Sequence, residues 1–139
     1  MAVGRLLLLA AVLGSSLLHA GFRQIQELRL KKDEVEKIMV VREASEHLLT
    51  WRWTLYQNGG LVVHRSYDGF NAQHVLKLNH VNQSVRIDID TRGKRPKAFS
   101  YVVIKFKSFD FATGEALFDL MLSDEAERVR LDFLNAGAQ

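Results

Sequence analysis

The amino-acid sequence predicts an all-β domain, or a mainly β domain with a short N-terminal helix. We expect an antiparallel meander of about seven or eight strands, folded into a sandwich or a barrel. Beyond residue 47, apolar and polar residues alternate with a period of two, which is the pattern of a half-buried strand. Turn-forming residues separate these runs, and no segment long enough for a crossover helix lies between them. The only proline, Pro96, falls in a predicted loop.

The first 20 residues have the layout of a secretory signal peptide. A basic start, MAVGR, precedes the apolar run LLLLAAVLG and the small-residue ending SSLLHA, and we expect cleavage after Ala20. Gly14, Ser15 and Ser16 interrupt the apolar run, whereas a bilayer-spanning helix takes roughly 20 apolar residues. An uncleaved anchor is the alternative. The sequence therefore predicts a signal peptide at 1–20, a single β-rich domain at 21–139, no transmembrane span after cleavage, and a periplasmic or secreted location.

The segment 22–42 fits two structures. Ile25, Leu28 and Val35 have a spacing that suits a helix, whereas the apolar run 38–41 is typical of a buried strand. We expect a short helix or strand, followed by a strand.

Two tryptophans occupy alternate positions in the segment TWRWTLYQNGGLVVH, residues 50–64. We expect a hairpin whose three-residue loop is Asn-Gly-Gly at 58–60. That loop pairs Trp53 with Arg65 and Trp51 with Tyr67. The alternative two-residue loop, 58–59, would mix apolar and polar residues on each face, which a half-buried sheet resists.

The predicted register assigns the side chains of this hairpin to two faces. Trp51, Trp53 and Leu55 share the inward face, and Arg52, Tyr56 and His64 point outward, in the predicted sheet. We interpret the two indoles as core rather than as an exposed platform, because rings of this size bury a large apolar area.

Alternation predicts five more strands along the rest of the chain. Their inward residues are Leu76 and Leu78; Val85, Ile87 and Ile89; Val102, Ile104 and Phe106; Phe118, Leu120 and Leu122; and Val129, Leu131 and Phe133. Turns are predicted at 68–69, 79–82, 92–93, 113–114 and 123–124.

The charge balance and the absence of cysteine limit which cellular compartment and which classes of partner fit this sequence. The chain has 19 basic and 16 acidic residues. Removal of residues 1–20 takes away only one of these charged residues, Arg5. A charge balance this small does not supply the field that nucleic-acid binding needs. The chain has no cysteine, so its core must hold without disulfides, which favours a bacterial periplasm over an animal extracellular space.

The densest cluster of cations predicts the first candidate binding surface. Arg92, Lys94, Arg95 and Lys97 lie within six residues with no acid between them, and such a loop can meet an anionic envelope component or an acidic protein surface. The outward strip of Arg52, Tyr56 and His64 is the second candidate. Simple solvation of these charges is the alternative interpretation.

Signals for metals and catalysis are weak. The segment 88–93 resembles the start of an EF-hand calcium loop, but Arg92 stands at a ligand position and Phe99 where a glutamate is needed. Histidines 47, 64, 74 and 80 lack ligand spacing, and the sequence contains no nucleophile-and-base signature. We therefore expect no metal and no cofactor.

The sequence thus predicts an exported, non-enzymatic binding or interaction module of the cell envelope. Its expected partner is an envelope protein or an anionic envelope component. A carrier of a small apolar ligand in a β-barrel or sandwich cavity is the alternative. A hydrolase that uses Asp110, Glu115 and Asp119 comes third.

Overall fold

The computed structural model describes residues 22–89, 100–125 and 127–135. Within these residues the chain forms nine strands and no helix. The strands are β1 (Phe22–Lys31), β2 (Glu36–Arg42), β3 (Ser45–Gln57), β4 (Gly60–Tyr67), β5 (Phe70–Lys77), β6 (Ser84–Asp88), β7 (Tyr101–Asp110), β8 (Glu115–Ser123) and β9 (Val129–Phe133). No helix in this part of the chain is long and apolar enough to cross a membrane. The predicted signal peptide lies outside the described residues.

The strands form two antiparallel sheets that pack face to face as a sandwich. One sheet has four strands in the order β1-β8-β7-β6, and the other has five in the order β5-β4-β3-β2-β9. The predicted all-β sandwich is therefore confirmed. The barrel alternative is wrong, because each sheet keeps two edge strands within the described residues. The segment 22–42 forms two strands, so the predicted strand alternative is confirmed and the helix alternative is wrong.

The predicted alternation fills the space between the sheets with apolar side chains. Phe106 and Phe118 are fully buried on the four-stranded sheet, and Trp51 and Val63 are fully buried opposite them. The Trp51 ring meets Phe118 edge on, with the ring centroids 5.4 Å apart. Trp53 is only 4% exposed, so the prediction that both indoles belong to the core is confirmed.

The hairpin between β3 and β4 differs from the predicted one in its turn. Gln57 pairs with Gly60, so the loop has two residues, Asn58 and Gly59. Both have positive φ, 53° and 75°, as in the two-residue turns whose twist matches the flanking strands. The predicted three-residue loop is wrong.

The predicted pairings across this hairpin are wrong for the same reason. Trp53 pairs with Val63, and Trp51 pairs with Arg65. A bulge between Trp53 and Leu55 inserts one extra residue, which keeps the indoles inward despite the shorter loop.

The bulge also reverses two predicted side-chain directions. Leu55, which was predicted to face inward, is 46% exposed. Tyr56, which was predicted to face outward, packs against the core. Its ring stacks on Phe109 with the centroids 4.5 Å apart and meets Phe106 edge on at 5.8 Å. Aromatic packing between the sheets therefore accompanies the departure from strict alternation.

A second bulge, between Phe106 and Ser108, changes which side chains point inward on β7, the strand that faces β3 across the core. It changes the parity of β7, so that Phe109 follows Phe106 toward the core instead of Ser108. Trp53 meets Phe109 edge on at 5.5 Å. The two bulges together bring rings from β3 and β7 into one cluster.

Buried hydrogen bonds fix the connections between the sheets. The Trp53 indole Nε1 donates to the carbonyl oxygen of Leu30 on β1, at 2.8 Å. The fully buried carboxylate of Asp124 accepts hydrogen bonds from Ser100 Oγ at 2.9 Å and from the Val129 amide at 2.8 Å. Asp124 thereby holds the turn that carries the chain from β8 to β9.

Candidate functional site

An open groove of about 480 Å³ crosses the outer face of the five-stranded sheet. Strand register arranges its polar side chains in two parallel rows across β3, β4 and β5. The rows are Thr50, Ser66 and Asn71, and Arg52, His64 and Gln73. Residues two apart on a strand are about 7 Å apart and neighbouring strands about 4.8 Å apart, so the rows present a compact polar surface. We call this surface the polar groove.

The floor and one end of the polar groove come from other residues. Arg65 and Ala72 lie between the two rows, at positions whose side chains point to the opposite face of the sheet. Val35, which precedes β2, closes the end nearest the sheet centre. Next to the rows, Leu55 and Val75 are 46% and 44% exposed, so an apolar border follows the polar surface toward the β3–β4 turn.

Four side chains of the polar groove have no hydrogen-bond partner within the described residues: Thr50, Ser66, Asn71 and Gln73. The two ionisable members have weak or neutral partners. Arg52 Nη1 lies 3.4 Å from Asp33 Oδ1, and His64 Nε2 lies 3.1 Å from Thr54 Oγ1. The groove therefore offers hydroxyl, amide and cationic groups that remain available to a ligand.

The structure brings together two of the three residues predicted as the outward strip. Arg52 and His64 are direct cross-strand neighbours. Tyr56 does not join them, because the bulge turns its ring toward Phe106 and Phe109. The predicted placement of Tyr56 in that strip is therefore wrong.

Sequence reasoning missed the groove residues on β5. Asn71 and Gln73 have the parity opposite to buried Leu76, so the alternation of this strand already indicated that they point outward. Their register against Ser66 and His64 depends on the two-residue turn at Asp68 and Gly69, whose φ values are both positive.

The first predicted surface, Arg92, Lys94, Arg95 and Lys97, lies outside the described residues. The residues that flank this segment are described. The Ile89 amide donates to the carbonyl oxygen of Ser100 at 2.9 Å, so the chain leaves and re-enters the four-stranded sheet at one point. The register of β1, β8, β7 and β6 shows that this is the end of the sheet at which β1 begins.

The outer face of the four-stranded sheet differs from the polar groove because its charges pair with one another. Lys107 Nζ donates to Glu27 Oε2 at 2.8 Å and lies 3.8 Å from Asp119. The hydrogen bond from Lys107 lowers the pKa of Glu27. Arg86 donates to Asp88 at 2.8 Å and covers the ring of Tyr101 at 3.8 Å. Lys107 and Arg86 on this face therefore already have carboxylate partners.

The predicted carboxylates for a hydrolase do not converge on a cleft. Arg29 Nη1 lies 3.4 Å from Asp110 and 3.2 Å from Glu115, which joins these two acids at the β7–β8 hairpin. Asp119 instead faces Lys105 and Lys107.

The histidines also have separate partners. His47 Nδ1 lies 3.2 Å from Asp68, while His64 contacts Thr54 and His74 contacts Arg65. Among the described residues no group of three or more metal-ligating side chains comes together.

Comparison with known proteins assigns no relationship to this chain. No family model, no curated protein and no solved structure matches it. The polar groove must therefore be interpreted from its own chemistry.

Proposed function

We propose that the protein is a non-enzymatic interaction module of the cell envelope, and that it binds an anionic partner through the polar groove. The observation that carries this proposal is the set of four polar side chains that have no partner among the described residues, beside Arg52 and His64, in one groove of about 480 Å³. Hydroxyl and amide groups can each form further hydrogen bonds without a change in the fold.

The charge of the groove favours an anion as its ligand. Arg52 is the only permanently charged side chain in the two rows, and its contact with Asp33 is long, at 3.4 Å. The Asp33 side chain is 59% exposed, so this ion pair contributes little stability and a ligand oxyanion can replace it. A guanidinium binds a carboxylate or phosphate through two parallel hydrogen bonds.

The interior of the sandwich supports an interaction module over the alternative of a small-ligand carrier. A carrier needs a lined apolar cavity of several hundred cubic ångströms. Between these sheets, Trp51, Phe118, Phe106 and Tyr56 instead form a continuous chain of ring contacts. Apolar side chains packed in this way stabilise the fold and leave the outer faces for binding.

The envelope location rests on the sequence alone. The predicted signal peptide at 1–20 and the absence of cysteine support export to a periplasm. The basic segment with Arg92, Lys94, Arg95 and Lys97, the first candidate surface from the sequence, stays a predicted contact region for an anionic envelope component.

Site-specific photo-crosslinking in the native compartment tests the proposal. A photoreactive side chain replaces Gln73 in the polar groove or, as a matched control, Lys105 on the outer face of the four-stranded sheet. We expect an adduct from position 73 and none of the same size from position 105. In the background of Arg52→Gln and His64→Gln together, the adduct from position 73 should disappear while the protein keeps its melting temperature.

Two outcomes would contradict the proposal. Adducts of equal yield from positions 73 and 105 would indicate that the partner contacts both outer faces of the sandwich and does not bind the groove specifically. An adduct from position 73 that survives loss of Arg52 and His64 would show that the cationic side chains of the groove do not hold the partner.

A further inference from the structure

Arg65 is a second cation of the five-stranded sheet, and its side chain points to the face opposite the two polar rows of the groove. Arg65 shares the inward parity of buried Val63 and Tyr67, but its cross-strand neighbour on edge strand β5 is Ala72. A side chain this small leaves room above the edge strand. The Arg65 side chain can therefore extend over β5 toward the open margin of the sandwich.

Two aromatic neighbours on β5 hold the guanidinium of Arg65. Its Cζ lies 5.2 Å from the centroid of the Phe70 ring, and its Nε donates to His74 Nε2 at 3.2 Å. Because an arginine stays protonated and can only donate, His74 must be neutral with its proton on Nδ1. The pKa of His74 is lowered by burial and, to a smaller extent, by the charge of Arg65, which is consistent with this neutral form.

The charge of Arg65 has no carboxylate partner at ion-pair distance in the described part of the chain. Asp88 is the acid whose field acts on it, but the Asp88 carboxylate accepts a 2.8 Å hydrogen bond from Arg86. Burial lowers the pKa of Arg65, and the field of Asp88 offsets only part of that effect. A half-buried cation without a counter-ion is costly unless something pairs with it.

The hydrogen-bond donors of Arg65 that have no acceptor among the described residues indicate which ligand chemistry would suit them. Four N–H bonds on the two terminal nitrogens have no acceptor among the described residues. They lie in the plane of the guanidinium, whose geometry matches the two oxygens of a carboxylate or phosphate. The 60% exposure of Phe70 shows that this margin is open to solvent, so an anion can reach it.

We propose that Arg65, oriented by Phe70 and His74, is an oxyanion-binding site that takes a carboxylate or phosphate group at the margin of the sandwich along β5. Arg65 also contributes to the floor of the polar groove, but its side chain has the inward parity of Val63 and Tyr67 and points to the face opposite the two polar rows. The site does not depend on the proposed function, because Arg52 and His64 contribute nothing to it.

Nuclear magnetic resonance of the full chain tests this site with inorganic phosphate and acetate as probes. Sodium chloride at the same ionic strength serves as the control anion. We expect saturable shifts of the Arg65 Nε–H and His74 ring signals with phosphate, acetate or both, and no saturable shift with chloride. The two probes distinguish a phosphate ligand from a carboxylate ligand, and saturation by either one supports the site.

Variants at Arg65 connect the shifts to the guanidinium. Arg65→Gln should abolish the saturable shifts of His74. Arg65→Lys keeps the charge but loses the planar fork and should weaken binding about tenfold. Arg52→Gln, on the opposite face, should leave binding at Arg65 unchanged. If Arg65→Gln does not give a folded spectrum, the Arg65→Lys variant alone decides the comparison.

Three results would overturn the inference. The first is shifts that chloride reproduces or that do not saturate with either probe. The second is saturable binding with equal affinity in the wild-type protein and in Arg65→Lys. The third is anion binding that is lost in Arg52→Gln but retained in Arg65→Gln. That result would assign the anion to the polar groove and would not contradict the proposed function.

Discussion

The two core tryptophans should respond differently to the same substitution, Trp to Phe. Both indoles are buried, with exposures of 0% at Trp51 and 4% at Trp53, so the loss of ring volume is similar at the two positions. Their indole nitrogens differ. Trp53 Nε1 donates to the Leu30 carbonyl oxygen at 2.8 Å, whereas the buried Trp51 Nε1 has no partner in the described part of the chain. The pair of variants therefore compares a buried indole N–H that has an acceptor with one that has none among the described residues.

The magnitude follows from the cost of buried polar groups. Trp53→Phe removes a hydrogen bond and leaves the Leu30 carbonyl oxygen with one acceptor interaction fewer, which costs about 1–3 kcal/mol beyond the loss of ring volume. Trp51→Phe removes a buried N–H that has no acceptor among the described residues, which offsets part of its packing loss by about 1 kcal/mol or more. We expect Trp53→Phe to lower the free energy of unfolding by at least about 2 kcal/mol more than Trp51→Phe.

Urea denaturation followed by far-ultraviolet circular dichroism measures this difference without relying on the fluorescence of the remaining tryptophan. The two variants should have the same dependence of unfolding free energy on urea concentration, since both unfold the same core. Equal destabilisation, or a larger loss for Trp51→Phe, would refute the assignment of the hydrogen bond to Trp53 alone.

Three further predictions test the register, the turn and one buried acid. Leu55→Ala should lower the free energy of unfolding by less than about 1 kcal/mol, while Tyr56→Ala should lower it by about 3 kcal/mol or more. The reverse order in urea denaturation would contradict the bulge and support the register in which Leu55 faces inward. Asp124→Asn should cost about 1–3 kcal/mol, because the two carboxylate oxygens accept separate hydrogen bonds from Ser100 and Val129 and an amide has only one oxygen; an unchanged melting temperature would contradict that role. Burial raises the pKa of Glu36, so the folded protein binds the proton of this carboxyl group more tightly than the unfolded chain does. The contribution of the protonated carboxyl to the free energy of unfolding is lost as the pH rises through that raised pKa. Glu36→Gln should therefore gain stability relative to the wild type at neutral pH and lose this advantage at acidic pH, and a pH-independent difference in melting temperature would contradict the shift.

The fold class could be predicted because it depends on local alternation. Within each strand, inward residues such as Ile104 on β7 or Phe118 on β8 alternate with less buried residues. This period of two is visible in a short window of the sequence. The burial of Trp51 and Trp53 followed from the same parity. The spacing of Ile25 and Leu28 misled, because β1 buries Leu28 while Ile25 lies on the other face at 39% exposure.

The register of the β3–β4 hairpin could not be predicted from its own residues. Strict alternation through Leu55 required a three-residue loop, but the chain adopts the two-residue turn and a bulge. Tyr56 then stacks on Phe109, a residue more than 50 positions away. Packing between distant strands decides such a bulge, and a short window contains no sign of it.

The candidate site was predictable in part. The outward direction of Arg52 and His64 came from parity, and the structure makes them cross-strand neighbours. The polar groove as a whole depends on three strands in register, so Asn71 and Gln73 could be added only when β5 was placed beside β4. Arg65 was predicted to pair with Trp53, and only the structure shows that its charge has no carboxylate partner among the described residues.

The most direct measurement of the central claim is a photo-crosslinking scan over both outer faces in the native compartment. Positions 50, 66, 71 and 73 sample the polar groove, and positions 27, 84 and 105 sample the outer face of the four-stranded sheet. If the groove binds an envelope partner, adduct yield should be high at the groove positions and near background at the others, and Arg52→Gln with His64→Gln should remove it. Adducts concentrated on the four-stranded sheet, or spread evenly over both faces, would contradict the account.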